Sequence, residues 1–253
     1  MVNLSLWFRA NKLSLNVQKT NFILFGNKKL PFGDGNFILT IDGTEIERVK
    51  STKFLGVLID EKLNWIAHTN HVSLCISKAL GILYRIKNAL PNRLLLMLYY
   101  TMIYPYFTYC NILWGCAKPS ILLKLITLQK RAIRLVSRSS YRSSTGPLFC
   151  SLGILKLEDI HKQQLALFMF KYKYKALPVS CMHYFTVNLK HSHSTRNTSY
   201  FKRVSFRTGV RERCITVRGP RFWDSLPSPL QNCSSFNSLK SDLRSHLLNS
   251  YSL

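Results

Sequence analysis

No charged side chain occurs between Arg93 and Lys118. A stretch of that length has to leave water, either by spanning a bilayer or by forming the centre of a core. Its composition decides between them. Pro105 cannot sit in a helix interior without removing a hydrogen bond, and Thr101, Thr108, Asn111 and several tyrosines carry polar groups that need partners. The stretch therefore reads as two buried helices broken at Pro105. No membrane partner is expected.

The pattern changes on either side of this core. Residues 3–11 place Leu4, Trp7 and Phe8 at helical spacing, and Asn21 to Phe25 reads as a short strand. Phe37 to Ile41, Asp42-Gly43 and Thr44 to Val49 read as a β-hairpin, since Asp-Gly supplies the positive φ angles of a tight turn. Lys53 to Ile59 is a third extended run. After Asn64, an N-cap candidate, Val72, Ile76, Ala79, Leu80, Leu83 and Ile86 form a helical stripe. Pro91 to Tyr104 and Phe107 to Trp114 continue helically. Pro119 opens a helix to Val136, with Lys124, Lys130, Arg131, Arg134 and Arg138 backing its apolar stripe. The Ser/Arg-rich segment from Arg138 to Pro147 reads as a boundary between units. Beyond it, Leu157 to Leu177 reads as a helix stopped by Pro178, Cys214 to Val217 as a strand, and Gly219-Pro220 with Trp223 as a tight turn and short helix. Ser234 or Ser235 caps a last helix to Asn249.

Charge points to the partner. The formal net charge is +25, and no carboxylate occurs from Lys62 to Lys156 or from Ile160 to Arg211. Solvated charged faces normally mix signs, so one-sided stretches of this length favour a polyanion over simple solubility. With 47% hydrophobic residues the chain has ample material for a core.

Chemistry is sparser. The seven cysteines are scattered and form no CxxC pair, which suits reduced thiols in a non-secreted protein of the nucleus or cytoplasm. Cys181-x-His183 and His191-x-His193 match no standard zinc spacing, and no metal site is expected. Of eleven carboxylates, the adjacent pairs are Asp60-Glu61, at a strand-to-helix junction, and Glu158-Asp159, at a helix start where they compensate the dipole. Neither sits in the hydrophobic strand–turn–strand setting from which two divalent metals could be held.

Two phrases give a family. Trp7 followed by Asn11-Lys12-Leu13-Ser14-Leu15-Asn16 and Lys19-Thr20, and then Lys53-Phe54-Leu55-Gly56-Val57 with Ile59-Asp60, resemble the last two conserved palm blocks of a non-LTR (LINE, jockey-like) retrotransposon reverse transcriptase. The string Leu128-Gln129-Lys130-Arg131-Ala132-Ile133-Arg134 and a later Gly-Pro-x-x-Trp also recur in that family. The resemblance implies that Lys19 protonates the departing pyrophosphate; from the residues alone it reads as a solvated turn lysine. It implies that Phe54, Leu55 and Gly56 form the primer grip, with Phe54 and Leu55 anchoring the strand. Alone they read as a buried strand with a bulge glycine. It further implies that the following helices form a thumb, with Lys78, Arg85, Lys87, Arg93, Lys130, Arg131 and Arg134 meeting the phosphate backbone. The family's metal-binding aspartates lie in earlier blocks that this sequence does not contain. The intact enzyme uses magnesium, while no cofactor is expected in this chain.

The expectation is an α+β, mostly helical protein: a palm remnant at 1–62, a helical thumb at 63–138, and a basic, mainly helical region at 147–253. Its function would be binding of RNA and DNA as a template–primer duplex, without catalysis and without a small-molecule substrate. The alternatives are a non-enzymatic basic nucleic-acid-binding protein and, behind it, a peripheral membrane protein.

Overall fold

The computed structural model describes residues 2–25, 38–41, 43–188 and 200–251. These are mostly helical with a small mixed β component, and they divide into two compact units, Met1–Asn70 and His71–Leu253. The Ser/Arg-rich segment expected as a boundary lies within the second unit.

The first unit opens with helix α1 (Val2–Ala10), a 3₁₀ turn (Val17–Lys19) and strand β1 (Asn21–Phe22), shorter than expected. Strands β2 (Leu39–Ile41) and β3 (Thr44–Arg48) form the antiparallel hairpin the sequence suggested, and β1 runs parallel to β3 on its other side. Gly43, at φ 78°, supplies the turn; Asp42, Phe37 and Asp34 lie outside the described residues. The run Lys53 to Ile59 is not one strand. It folds back as β4 (Ser51–Phe54) and β5 (Val57–Asp60), an antiparallel hairpin turning on Leu55 (φ 45°) and Gly56 (φ 82°). A two-residue turn with both residues left-handed matches the twist of the flanking strands, and Gly56 adopts that geometry without strain.

Asp60 organises the junction between β5 and the next helix. Its carboxylate accepts the backbone N–H groups of Lys62 (3.0 Å), Asn64 (3.1 Å) and Trp65 (3.0 Å). These bonds shape a loop in which Leu63 (φ 48°) and Trp65 (φ 66°) are both held left-handed. Asn64 then accepts the Ile66 N–H at 2.9 Å and starts α2 (Ile66–Ile86), as expected of a cap. Trp65 is buried, and His68, also buried, accepts the Leu58 N–H through Nδ1 at 3.4 Å.

In the second unit the uncharged stretch forms α3 (Asn92–Met102), α4 (Tyr104–Thr108) and α5 (Asn111–Trp114). Pro105 sits in the first turn of α4, where its missing N–H costs nothing, and Cys110 at φ 49° makes a second break. Tyr99, Ile103, Phe107 and Trp114 are fully enclosed. Among the described residues no helix is long and apolar enough to cross a membrane.

Helix α6 (Pro119–Val136) has the bounds its periodicity predicts and buries Leu125, Ala132, Ile133 and Val136. It leads through α7 (Gly146–Ser151) to α8 (Leu157–Lys173), after which come further helices, the second and fourth of which pack on α8. These are α9 (Gly209–Arg213), α10 (Ile215–Ser225), α11 (Ser228–Gln231) and α12 (Phe236–Asn249), the last capped by Ser235. Two expectations are corrected here. The Cys214 to Val217 strand is the start of α10, and Gly219-Pro220 lies inside that helix rather than in a turn. The reason is packing: a Cβ at residue 219 would lie 2.5 Å from Met169 Sδ, so glycine lets α10 press onto α8. Likewise α8 stops at Lys173, before Pro178. Lys175 takes the left-handed conformation, with Lys175 N–H bonded to Tyr172 O and Ala176 N–H to Lys171 O, a Schellman stop.

Gln129 and Tyr251 tie the unit together. The Gln129 amide donates to Leu155 O (2.9 Å) and Tyr99 Oη (3.3 Å) and accepts the Leu157 N–H (2.9 Å). Tyr251 donates its hydroxyl to Asp159, accepts the Lys156 N–H at 3.0 Å, and carries the Lys156 ammonium over its ring at 3.9 Å. Burial pushes both phenols up, and for Tyr251 the Asp159 carboxylate adds to the effect. Replacing Gln129 by Leu strands the Leu157 N–H and Leu155 C=O in the interior. The expected loss is about 3 kcal/mol in urea unfolding with an unchanged m-value.

His161 adds a pH dependence. Asn111 donates its amide N–H to Phe107 O at 2.9 Å, which turns Oδ1 towards His161 Nδ1 at 3.1 Å and makes Nδ1 the protonated nitrogen. Burial first, then the Arg218 charge, lowers the imidazole from 6.5 to about 4. The unfolded chain therefore protonates first on acidification. The contribution of neutral His161 is complete above pH 6.5, declines below it, and is lost by about pH 4. A shift of this size corresponds to about 3 kcal/mol. Tm measured across this range should fall more steeply for the parent than for His161→Gln.

Candidate nucleic-acid interface

In the first unit, Lys19 ends the 3₁₀ turn, which rests against β3 and is capped by Asn16 accepting the Lys19 N–H at 3.2 Å. Its side chain is exposed, which a phosphate contact requires and a solvated turn lysine equally shows. Phe54, Leu55 and Gly56 form the β4–β5 turn. Phe54 is 61% exposed and Leu55 74%, so neither anchors the hairpin; Val57, 3% exposed, does. The turn presents two apolar side chains and a glycine to the outside, where the sequence suggested a buried strand.

The basic residues of the second unit separate into groups. Lys78 and Arg85 lie two turns apart on one stripe of α2, and Arg93 is in the first turn of α3; all three are exposed. Lys130 faces a small cavity of about 290 Å³ with Lys156 and Glu158. Lys87, Arg131 and Arg134 are brought together. They line a groove of about 480 Å³ walled by α2 on one side and by the end of α6 and the segment after it on the other.

The groove follows from the sequence turn by turn. On α2, Ser77, Leu80, Gly81 and Tyr84 recur at helical spacing and face it; Leu128, Arg131 and Leu135 do the same on α6. A Cβ added to Gly81 would meet nothing within 4 Å, so that glycine keeps the floor open rather than serving the packing. Helix α6 ends in a Schellman stop with Arg138 at φ 53°, closed by Arg138 N–H to Leu135 O and Ser139 N–H to Arg134 O. From that conformation the Arg138 guanidinium reaches Lys87 O at 3.0 Å and Leu90 O, joining the ends of the two helices. A cation on the carbonyls at a helix C-terminus is favoured by the dipole. Arg134 Nε donates to Ser143 O at 2.9 Å and so holds the segment that carries Tyr141 to the rim.

Two aromatic rings complete the lining. Tyr84 is 61% exposed with Lys87 Nζ 4.4 Å from its centroid, and Tyr141 is 78% exposed with the Arg134 guanidinium at 5.9 Å. Among the described residues no carboxylate lines the groove, whereas a second cavity of about 450 Å³ mixes Lys118, Lys162, Arg213 and Arg218 with Glu158 and Glu212. The groove is thus a concave, uncompensated positive surface with apolar walls and exposed rings. The sequence marked its cations but not Tyr84 or Tyr141; their spacing from Lys87 and Arg138 was the available signal.

Among the described residues no group of three or more His, Cys, Asp or Glu side chains is placed to hold a metal. Cys181 and His183 are described, and His191 and His193 lie outside the described residues. His71 Nε2 sits 3.9 Å from Cys75 Sγ. The carboxylates of Asp60, Asp159 and Asp224 are engaged with backbone N–H groups, Tyr251 with Lys162, and Arg203 respectively.

Gly81 tests the division between fold and site. Gly81→Ala is expected to raise stability by about 1 kcal/mol in thermal or urea unfolding, because the helix gains propensity and nothing clashes. Comparison with protein-family models, with curated proteins and with solved structures returns no match for this chain.

Proposed function

We propose that this chain is the end of the palm, the thumb and the C-terminal region of a non-LTR retrotransposon reverse transcriptase, and that it binds nucleic acid without polymerising. Two lines support the reading. The first is the family resemblance of Asn11–Asn16 with Lys19 and of Phe54-Leu55-Gly56. The second, which carries the binding half, is the groove that gathers Lys87, Arg131 and Arg134 with no carboxylate among the described residues of its walls.

The chemistry is electrostatic. Each cation that meets a phosphate releases condensed counterions, giving affinity without sequence preference and a steep dependence on salt. In the parent enzyme magnesium on upstream aspartates would perform nucleotidyl transfer. Here Lys19 could donate to a pyrophosphate oxygen, while the exposed Phe54-Leu55-Gly56 turn could lie against the primer end.

The test is a salt titration of RNA and DNA binding by the purified chain, paired with primer extension on an RNA template. Binding should weaken steeply with salt. Lys87→Gln and Arg131→Gln should each reduce the slope of log K against log salt by about 0.7–0.9. Absence of binding at low salt would overturn the binding half, and primer extension would overturn the claim that the chain does not polymerise.

A further inference from the structure

The cations explain affinity for any nucleic acid; the rings do not. A duplex hides the faces of its bases and offers phosphates, for which Lys87, Arg131 and Arg134 suffice. Tyr84 and Tyr141 are large, partly apolar and mostly in water, although the same unit buries Tyr99 and Tyr172 completely or nearly so. Exposed aromatic rings beside cations along a groove are the equipment for holding unpaired bases, which stack on any π face regardless of sequence. The dimensions agree. A cavity of about 480 Å³ is of the size of small-ligand sites and has room for unpaired bases, whereas a double helix would lie across its rim. Its floor of Leu80, Leu128 and Leu135, with Gly81 left bare, suits the flat apolar face of a base.

We propose that the groove binds single-stranded nucleic acid, with unpaired bases stacked on Tyr84 and Tyr141 and the intervening phosphates on Lys87, Arg131 and Arg134. This rests on the nucleic-acid reading above and narrows its ligand from a duplex to an unpaired strand. The cation over each ring has two effects. It holds the ring in place, and it sets a positive charge where the backbone of a stacked nucleotide passes. Ser77 and Ser139, also on the walls, supply hydroxyls for base edges or phosphate oxygens. Since every base has a π face, little sequence preference follows. Arg138, by joining the ends of α2 and α6, positions the two walls without touching the strand.

The experiment is fluorescence anisotropy on the full chain at low salt, using three labelled probes: a twelve-nucleotide oligothymidylate, the matching oligouridylate, and a blunt DNA hairpin of equal phosphate number. The single strands should bind about ten-fold or more tighter than the hairpin. Tyr84→Leu and Tyr141→Leu should each weaken single-strand binding by about 5- to 100-fold and leave hairpin binding within about two-fold. Tyr84→Phe and Tyr141→Phe should bind like the parent. Both rings are exposed, so the Leu variants should keep the parent Tm, and the parent's preference among probes needs no variant. Tighter hairpin binding by the parent, or equal losses on both probes, would overturn this inference while leaving the general one standing. No binding to any probe would overturn both.

Discussion

The carboxamide of Gln129 is almost wholly enclosed, and its three hydrogen bonds join distant parts of the second unit. An amide taken out of water needs partners, and here two segments distant in sequence supply three bonds: Tyr99 from α3, and the head of α8 through Leu155 O and the Leu157 N–H. Helix α8 has Lys156 at its N-cap, which offers no side-chain acceptor, so Gln129 takes that role from another helix. Once α6 and α8 are fixed, Asn111, His161 and Gln164 fall into place. Gln164 donates to Thr108 O at 2.8 Å, and His161 meets Asn111. The uncharged stretch is buried through polar bonds as much as through apolar contact.

That interior frees the surface for charge. The described ion pairs, Arg48 with Glu61, Lys162 with Asp159 and Arg203 with Asp224, compensate few of the 36 lysines and arginines. The rest repel one another, and a polyanion relieves that repulsion as it binds. Several cations are used inside the fold before any ligand arrives. Arg138 serves a helix end, Arg134 holds a loop, and Arg244 bonds Gly153 O. Arg131 and Lys87 have no such duty in the described bonds beyond the Tyr84 ring, which makes them the better probes of binding.

Much of this fold was legible in the sequence, and what was not has a common cause. The start of α6 at Pro119, the break at Pro105, the Ser235 cap and the β2–β3 hairpin all rest on residues whose local preference matches the outcome. Three helix stops do not. Lys12, Arg138 and Lys175 take a left-handed conformation that usually marks glycine, so the endings of α1, α6 and α8 carry no punctuation. Leu55 hides the β4–β5 turn in the same way. The Gly219-Pro220 pair errs in the other direction. It reads as a turn, yet it lies within a helix, where the Met169 side chain approaches the space a Cβ would take. For the groove, the charges were visible as a set. Which of them converge depends on how α2 and α6 cross, and Tyr84 and Tyr141 declare themselves through exposure alone.

Tyr251 sets the order in which the chain can finish folding. It bonds the Lys156 backbone 95 residues away, and it is the hydroxyl donor to the buried Asp159 at the head of α8. During synthesis at about 5–20 residues per second, α8 leaves the ribosome several seconds before Tyr251 does. Through that interval the Asp159 carboxylate lacks its hydroxyl donor and the helix it begins is incompletely packed.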